Sequence, residues 1–246
     1  MKILLMSKER AFLLSTEQKQ FHSQYGIVDL TKIKKYSQKI KSSKGYEFTV
    51  VKPSIIDLLK KARRMPQIIT PKDAGQIIAI TGVSPGWKCL DLGSGSGFLA
   101  IFLGNIIAPS GSVVTYEKKK EFAENVSKNI QFCELDKIVK VKNKTAEKFT
   151  EKELDLISMD IPNAEKLVKK CAKALKPGGW LCSYSPHIEQ QIKVRKEMEK
   201  TGFIFIKIIE TTQRVWSSLK GYTHPRYGGI GFTGFITFGR KVSEVV

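Results

Sequence analysis

The sequence predicts an α/β protein: a mostly parallel sheet covered by helices on both faces, preceded by a small β-domain. Three observations predict it. From Pro71 onward, strand-like and helix-like segments alternate to the end of the chain, the pattern of strands joined by crossover helices. A glycine-rich turn, Gly93-Ser94-Gly95-Ser96-Gly97, stands between the first strand and the helix that follows it. Residues 1–52, by contrast, carry β-rich alternation broken by Gly and Pro, with no helical period.

Within residues 1–52, Gln24–Leu30 and Gly45–Val51 read as strands, and the segment is expected to form a small β-barrel-like domain for RNA binding or assembly. Residues 53–70 read as a linker helix and approach segment. There Ser54 with Asp57 three residues on predicts a capped helix start, the helix running Ile55–Arg63. The larger domain, 71–246, opens with a helix at Asp73–Ile80. Strand Lys88–Leu92, helix Gly97–Ile107, strand Ser112–Tyr116 and helix Lys119–Gln131 follow, then strands Ile138–Val141 and Leu154–Met159. Helix Ala164–Leu175 places Ala164, Leu167, Val168, Cys171, Ala172 and Leu175 on one face, the spacing of a core-facing stripe. Lys176-Pro177-Gly178-Gly179 reads as a turn before strand Trp180–Ser183. Helix Ile188–Lys200 precedes two β-rich segments, Phe203–Glu210 and Gly234–Lys241, expected to pair as a closing hairpin.

The charge balance narrows the partner. The 246 residues carry 42 Lys/Arg against 23 Asp/Glu, a net +19 with a pI near 9.7. So positive a surface attracts polyanions, of which RNA is the commonest; lysine in excess for solubility is the plainer reading. Residues 1–70 hold 15 Lys/Arg against 5 acids, a net +10, so the N-terminal segment is expected to meet a phosphate backbone. The apolar stretch Ile3–Met6 is interrupted by Lys8, Glu9 and Arg10, too short for a signal core, and no apolar run can span a membrane. A cytoplasmic protein is expected. Cys89, Cys133, Cys171 and Cys182 lack C-x-x-C spacing, which points to buried thiols and not to a metal site.

Three features carry chemistry. Glycines at 93, 95 and 97 let the backbone turn sharply and approach a ligand without a Cβ in the way. Glu117, 20 residues after Gly97 and at the end of the next strand, can accept hydrogen bonds from both hydroxyls of a ribose. Together they predict a nucleoside-containing cofactor. Asp160 ends strand Leu154–Met159 on the ligand-facing rim of the sheet. A carboxylate there can accept a hydrogen bond from an exocyclic amine such as adenine N6, which makes N1 a better nucleophile. The same residue could instead cap the helix that follows Asn163.

The glycine turn has the form G-x-G-x-G, not the G-x-G-x-x-G of a dinucleotide turn. It resembles motif I of the class I methyltransferases, which bind S-adenosylmethionine, and Lys176–Gly179 resembles a turn late in that family's sheet. Arg64-Met65-Pro66-Gln67-Ile68-Ile69-Thr70-Pro71-Lys72-Asp73-Ala74 resembles the R-x-x-Q-x-I-Y-P-K-D-A stretch of the tRNA adenine-N1 methyltransferases acting at position 58, or 57 and 58 in archaea. Gly231-Phe232-Thr233-Gly234-Phe235-Ile236 with Gly239-Arg240-Lys241 resembles that family's G-H-T-G-F-L and A-R-K. Phe21–Val28 and Lys44–Phe48 resemble the turns of its N-terminal β-domain.

The resemblance implies a class I, Rossmann-like methyltransferase domain behind a small β-domain, commonly a homotetramer, methylating a T-loop adenine of tRNA at N1. Carried over by position, Gly93, Gly95, Ser96, Gly97, Phe98 and Leu99 form the cofactor loop, Glu117 holds the ribose and Thr145 lies near the cofactor adenine. Asp160 faces both cofactor and target base and is the catalytic candidate. Arg63, Arg64 and Lys72 flank the mouth of the site and are the RNA-binding candidates. Some positions depart from the family: Thr70 stands for its Tyr, Thr145 for its acid, His224-Pro225 for Arg-Pro, and Phe232 for its His. These touch base recognition more than cofactor chemistry.

Other conspicuous residues have plainer readings. His22 and His187 are structural; Trp87, Trp180 and Trp216 are packing residues, with Trp216 in a basic loop where it could stack on a base. Lys118-Lys119-Lys120 is a solvated helix face. Two alternatives remain: a protein isoaspartate-type methyltransferase, which would not need +19, and a catalytically silent tRNA-binding subunit, which would not keep Gly93–Gly97, Glu117 and Asp160.

Overall fold

The computed structural model describes residues 1–8, 10–64, 69–219, 221–226, 228 and 231–242. The chain divides into two compact units, Met1–Ala62 and Arg63–Val246. Of the motif at 64–74, Met65 to Ile68 lie outside the described residues.

The first unit holds strands β1 (Lys2–Met6), β2 (Ala11–Ser15), β3 (Gln20–Ser23), β4 (Gly26–Asp29), β5 (Lys39–Lys41) and β6 (Glu47–Val51). Alternation along β1 and β6 turns Ile3, Leu5, Phe48 and Val50 inward, onto Tyr25, Val28, Leu30 and Ile40. The sheet runs β2-β1-β6-β5, antiparallel throughout, and β3 with β4 forms a separate hairpin. An open sheet plus hairpin therefore stands where a barrel-like closure was expected. Helix α1 (Ile55–Leu59) starts as the sequence predicts: the amide and hydroxyl of Ser54 both donate to the Asp57 carboxylate, at 3.0 and 2.6 Å. It stops four residues short of Arg63.

The second unit contains α2 (Pro71–Thr81), β7 (Lys88–Leu92), α3 (Phe98–Ile107), β8 (Ser112–Tyr116), α4 (Lys120–Phe132), β9 (Val139–Lys142) and β10 (Leu154–Met159). After these come α5 (Val168–Ala174), β11 (Leu175–Ser185), α6 (Ile188–Lys200), β12 (Phe203–Glu210), β13 (Trp216–Leu219), β14 (Tyr222–Pro225) and β15 (Phe235–Lys241). Seven strands form one sheet in the order β12-β15-β11-β10-β7-β8-β9. From β11 to β9 all neighbours are parallel, and β15 runs antiparallel to both β11 and β12. The strand order reverses at β7, with β8 and β9 on one side and β10 and β11 on the other. Ligands of open α/β sheets bind at such a switch point, beyond the carboxyl ends of the strands.

Three local differences from the expected elements have physical causes. Asn163, in the left-handed region at φ +54, turns the chain into a 3-10 turn over Ala164–Leu167, so the helix proper begins at Val168. The apolar stripe is nonetheless buried in full. Lys176–Gly179 is not a turn before a strand but a bulge within β11: the register against β10 jumps from Leu154–Leu175 to Leu156–Trp180. The hairpin β13–β14 was not anticipated; Ser217 and Ser218 give little β signal, and its pairing includes a hydroxyl bond from Thr223 to Ser218 at 3.0 Å.

Candidate active site

Strands β7 and β10 deliver the two decisive residues side by side. Leu92 and Met159 are register partners, so Gly93 and Asp160 leave the sheet together, and the Asp160 amide donates to the Leu92 carbonyl at 2.8 Å. The amides of Gly93 and Ser94 both donate to the Tyr116 carbonyl at the end of β8, at 3.0 and 3.1 Å. Gly93 (φ +96) has no room for a side chain: a Cβ would overlap the Asp160 carbonyl oxygen and come within 2.9 Å of the Ile161 Cγ2. Gly97 (φ +79) caps α3, and a Cβ there would meet Val126 Cγ1 at 2.8 Å. Both glycines answer a requirement for close approach.

Two hollows open at this rim and share Gly93 and Asp160. One is narrow, walled by Ile69, Asp91, Gly93 to Ser96, Phe98, Leu99 and Asp160. The other, about 370 Å³, takes in Glu117, Thr145, Glu147 and Ile161, a size suited to a small-molecule ligand. In the second hollow the Glu117 Oε1 accepts from the Lys119 amide at 2.9 Å, which fixes the carboxylate and leaves Oε2 without a partner among the described residues. The Asn143 side chain donates to the Glu117 carbonyl at 2.8 Å and holds the same loop. In the first, the buried Ser94 hydroxyl has no hydrogen-bond partner among the described residues. A free acid oxygen on one side and an orphaned hydroxyl on the other, joined across a glycine, fit a nucleoside bearing an amino-acid arm.

The electrostatics centre on two acids. Asp91 is fully buried and accepts from Thr115 and Ser158, both at 2.7 Å; burial still pushes its carboxyl up to about 6. Asp160 is raised to about 7, first by burial and second by the negative charge of Asp91. Its carboxylate meets no hydrogen-bond donor among the described residues, and Asn163, which precedes the 3-10 turn, receives no cap from it. The helix-capping alternative for Asp160 is thus not what the geometry displays. An acceptor without a donor, at the junction of two hollows, is suited to gripping an amine brought from outside.

The remaining candidates separate. Thr145 lies in the wall of the 370 Å³ hollow, with an acid two residues on that was missed, Glu147, whose carboxyl is held low by hydrogen bonds from its own backbone and Thr145. Arg63 and Arg64 line a third hollow of about 290 Å³ against α4, and the Arg64 guanidinium lies 5.7 Å from the Phe98 ring centre. The Asn129 side chain, also missed, accepts from the Arg63 amide at 3.0 Å and donates to the carbonyls of Arg63 and Ser96, both at 2.9 Å. The helix expected to reach Arg63 ends earlier, at Leu59, where the Lys61 amide turns back to the Leu58 carbonyl at 2.9 Å. Lys72 does not face outward as an RNA contact: its side chain is 10% exposed, and its ammonium donates to Asp73, Thr211 and Thr233. Trp216 is 58% exposed and Tyr222 78%, so Trp216 is no packing residue, whereas Trp180 is buried.

The chain is 31% identical to the tRNA (adenine(57)-N(1)/adenine(58)-N(1))-methyltransferase TrmI of Methanocaldococcus jannaschii, across 99% of this chain and 95% of the relative. It is 27% identical to tRNA (adenine(58)-N(1))-methyltransferase TrmI of Thermus thermophilus, across 82% and 80%. A solved structure described as an S-adenosylmethionine-dependent O-methyltransferase from Thermotoga maritima superposes with a TM-score of 0.83 at 29% identity, covering 100% of this chain and 94% of that one. The tRNA (m1A58) methyltransferase TrmI of Aquifex aeolicus, 24% identical, shares the fold at a TM-score of 0.78 over 99% and 97%. The model of the tRNA methyltransferase complex GCD14 subunit family matches residues 58–240, and with these relatives it makes the chain a member of that family of class I methyltransferase fold.

Proposed function

We propose that this protein transfers a methyl group from S-adenosylmethionine to N1 of an adenine in the T-loop of tRNA, at position 58 and, as the archaeal relative's name suggests, at 57 as well. The observation that carries the reading is the unpartnered Asp160 carboxylate at the junction of the two hollows. Glu117 Oε2 would hold the ribose hydroxyls; Gly93, Gly95, Ser96, Gly97, Phe98 and Leu99 would shape the loop around the amino-acid arm, with Ser94 donating to it. Thr145 and Glu147 would border the adenine. The bound cofactor supplies an electrophilic methyl group on a sulfonium.

A T-loop base must leave its stack to reach Asp160, at a cost of a few kcal/mol. The carboxylate then accepts a hydrogen bond from N6 and orients N1 toward the methyl group. No base need remove a proton first, because the N1 lone pair lies in the ring plane and is free. As positive charge develops on the ring, the nearby carboxylate stabilises it. Asp160 therefore works by positioning and electrostatics. Arg63 and Arg64, with the basic N-terminal unit, would hold the phosphate backbone. By the family resemblance the working assembly is a homotetramer, which light scattering in solution would test. Four buried free thiols suit a reducing cytoplasm, and among the described residues no helix is long and apolar enough to cross a membrane.

Asp160→Asn keeps the shape and loses the charge. Its kcat on tRNA should fall about 100- to 1,000-fold, the size of effect seen when one preorganised electrostatic partner is removed. S-adenosylhomocysteine affinity should change far less. An Asn variant with near-normal turnover would overturn the assignment.

A further inference from the structure

Two motifs have no part in the cofactor hollows: Pro71-Lys72-Asp73-Ala74 and Gly231-Phe232-Thr233-Gly234. Although 160 residues apart, they meet. The Asp73 carboxylate, fully buried at the start of α2, accepts from Lys72 Nζ at 2.7 Å and from the hydroxyls of Thr70 and Thr233, each at 2.8 Å. Lys72 Nζ also donates to the Thr211 carbonyl and to the Thr233 hydroxyl, both at 2.6 Å. An ammonium has three protons, and all three are used.

A buried ion pair adds little net stability, because desolvation offsets its attraction; where such a pair is useful, it fixes one arrangement over others. What this one fixes is visible in its partners. Thr211 follows the last residue of β12 and Thr233 stands just before β15, so Lys72 grips both stems of the excursion that carries β13 and β14. The knot also adjoins the site along the chain: Ile69 lines the narrow hollow with Ser96 and Asp160, while its neighbour Thr70, with Lys72 and Thr233, lines a cavity of about 670 Å³. The Tyr184 hydroxyl donates to the Thr233 carbonyl at 2.6 Å, and its phenol is pushed up by burial first, then by the charge of Asp73 and, less, of Asp160.

We propose that Lys72, Asp73 and Thr233 are positioning residues for the methyl acceptor: their knot locks both stems of the 211–233 excursion to the wall beside Asp160, so that the incoming base meets the methyl group in one geometry. The inference rests on the methyltransferase reading above. It assigns the P-K-D and T-G-F segments a common task that neither could perform alone.

Two variants of the full chain test it. Thr233→Val removes one hydroxyl at nearly constant shape. The double variant Lys72→Met with Asp73→Leu removes both charges together, a replacement that is commonly neutral for stability. Three quantities are read: S-adenosylhomocysteine affinity by calorimetry, kcat and KM on tRNA, and hydrogen exchange of the stems around 211 and 233. Both variants should bind S-adenosylhomocysteine within about twofold of wild type while exchange at the stems accelerates. The kcat should fall about 100-fold in the double variant, the effect expected of a misplacement near 1 Å, and about tenfold in Thr233→Val. Wild-type kcat in either folded variant overturns the proposal, as does a kcat loss matched by an equal loss of cofactor affinity. Should the double variant not fold, Thr233→Val decides. If the wild-type protein methylates no tRNA, the functional reading fails instead, and exchange at the stems still decides whether the knot locks them.

Discussion

Asp160→Asn should make the protein more stable at alkaline pH while it removes activity. The Asp160 carboxyl is raised from 3.8 to about 7 by burial and by Asp91. Because the folded-state value lies above the unfolded one, the folded protein holds this proton more tightly. The stability so contributed is complete below pH 3.8 and is lost as the pH rises through about 7. At a pH well above 7, ionising the group costs the folded state about 4 kcal/mol, taking about 1.4 kcal/mol for each pH unit between the two values. Asn carries no charge and escapes that cost, but its amide is also desolvated, and Asp91 gains from the lost repulsion by only a part. A net gain of about 1–2 kcal/mol is expected, which moves the Tm of a domain this size up by about 2–8 °C. The assay is thermal unfolding of both proteins without ligand at pH 5 and pH 8.5. The gain should be several degrees at pH 8.5 and shrink markedly at pH 5. An Asn variant less stable than wild type at pH 8.5, or a difference that ignores pH, would refute the reasoning, since Asp160 would then have a favourable partner in the fold.

Other outcomes follow from the same geometry. The kcat/KM for tRNA should rise with pH through about 7, because only the ionised Asp160 carboxylate stabilises the positive charge that develops on the ring; a flat profile from pH 6 to 8.5 would contradict this. Glu117→Ala should weaken S-adenosylhomocysteine by about 1–3 kcal/mol in calorimetry, the loss of charge-assisted hydrogen bonds, and unchanged affinity would remove the ribose contact. With a net charge of +19, tRNA affinity should fall steeply between 50 and 200 mM salt; a shallow dependence in a filter-binding titration would mean that few phosphates are contacted.

The central sheet was legible because its signals are local. Short apolar runs marked β7, β8 and β10 to the residue, the first two beside a glycine, and Gly93, Glu117 and Asp160 fall at strand ends where the crossover pattern requires. What escaped is what depends on distant partners. Lys72 reads as a free surface cation until Thr211 and Thr233 are brought to it by the folding of β12 and β15. Asn129 reads as an ordinary helical residue, yet its amide replaces backbone partners for Arg63 and Ser96. The four residues Lys176–Gly179 have every mark of a turn, and only the pairing of β11 with β10 on both sides of them makes them a bulge. Glu147 does not stand out in the sequence because the positional match falls on Thr145, while the 3-10 turn carries the acid into the same wall.

The most direct test of the account is nucleoside mass spectrometry of unmodified tRNA incubated with the protein and methyl-labelled S-adenosylmethionine. The account predicts labelled 1-methyladenosine confined to the T-loop, produced by wild type and nearly absent with Asp160→Asn. Label on a hydroxyl, on another base or on no nucleoside at all would contradict it.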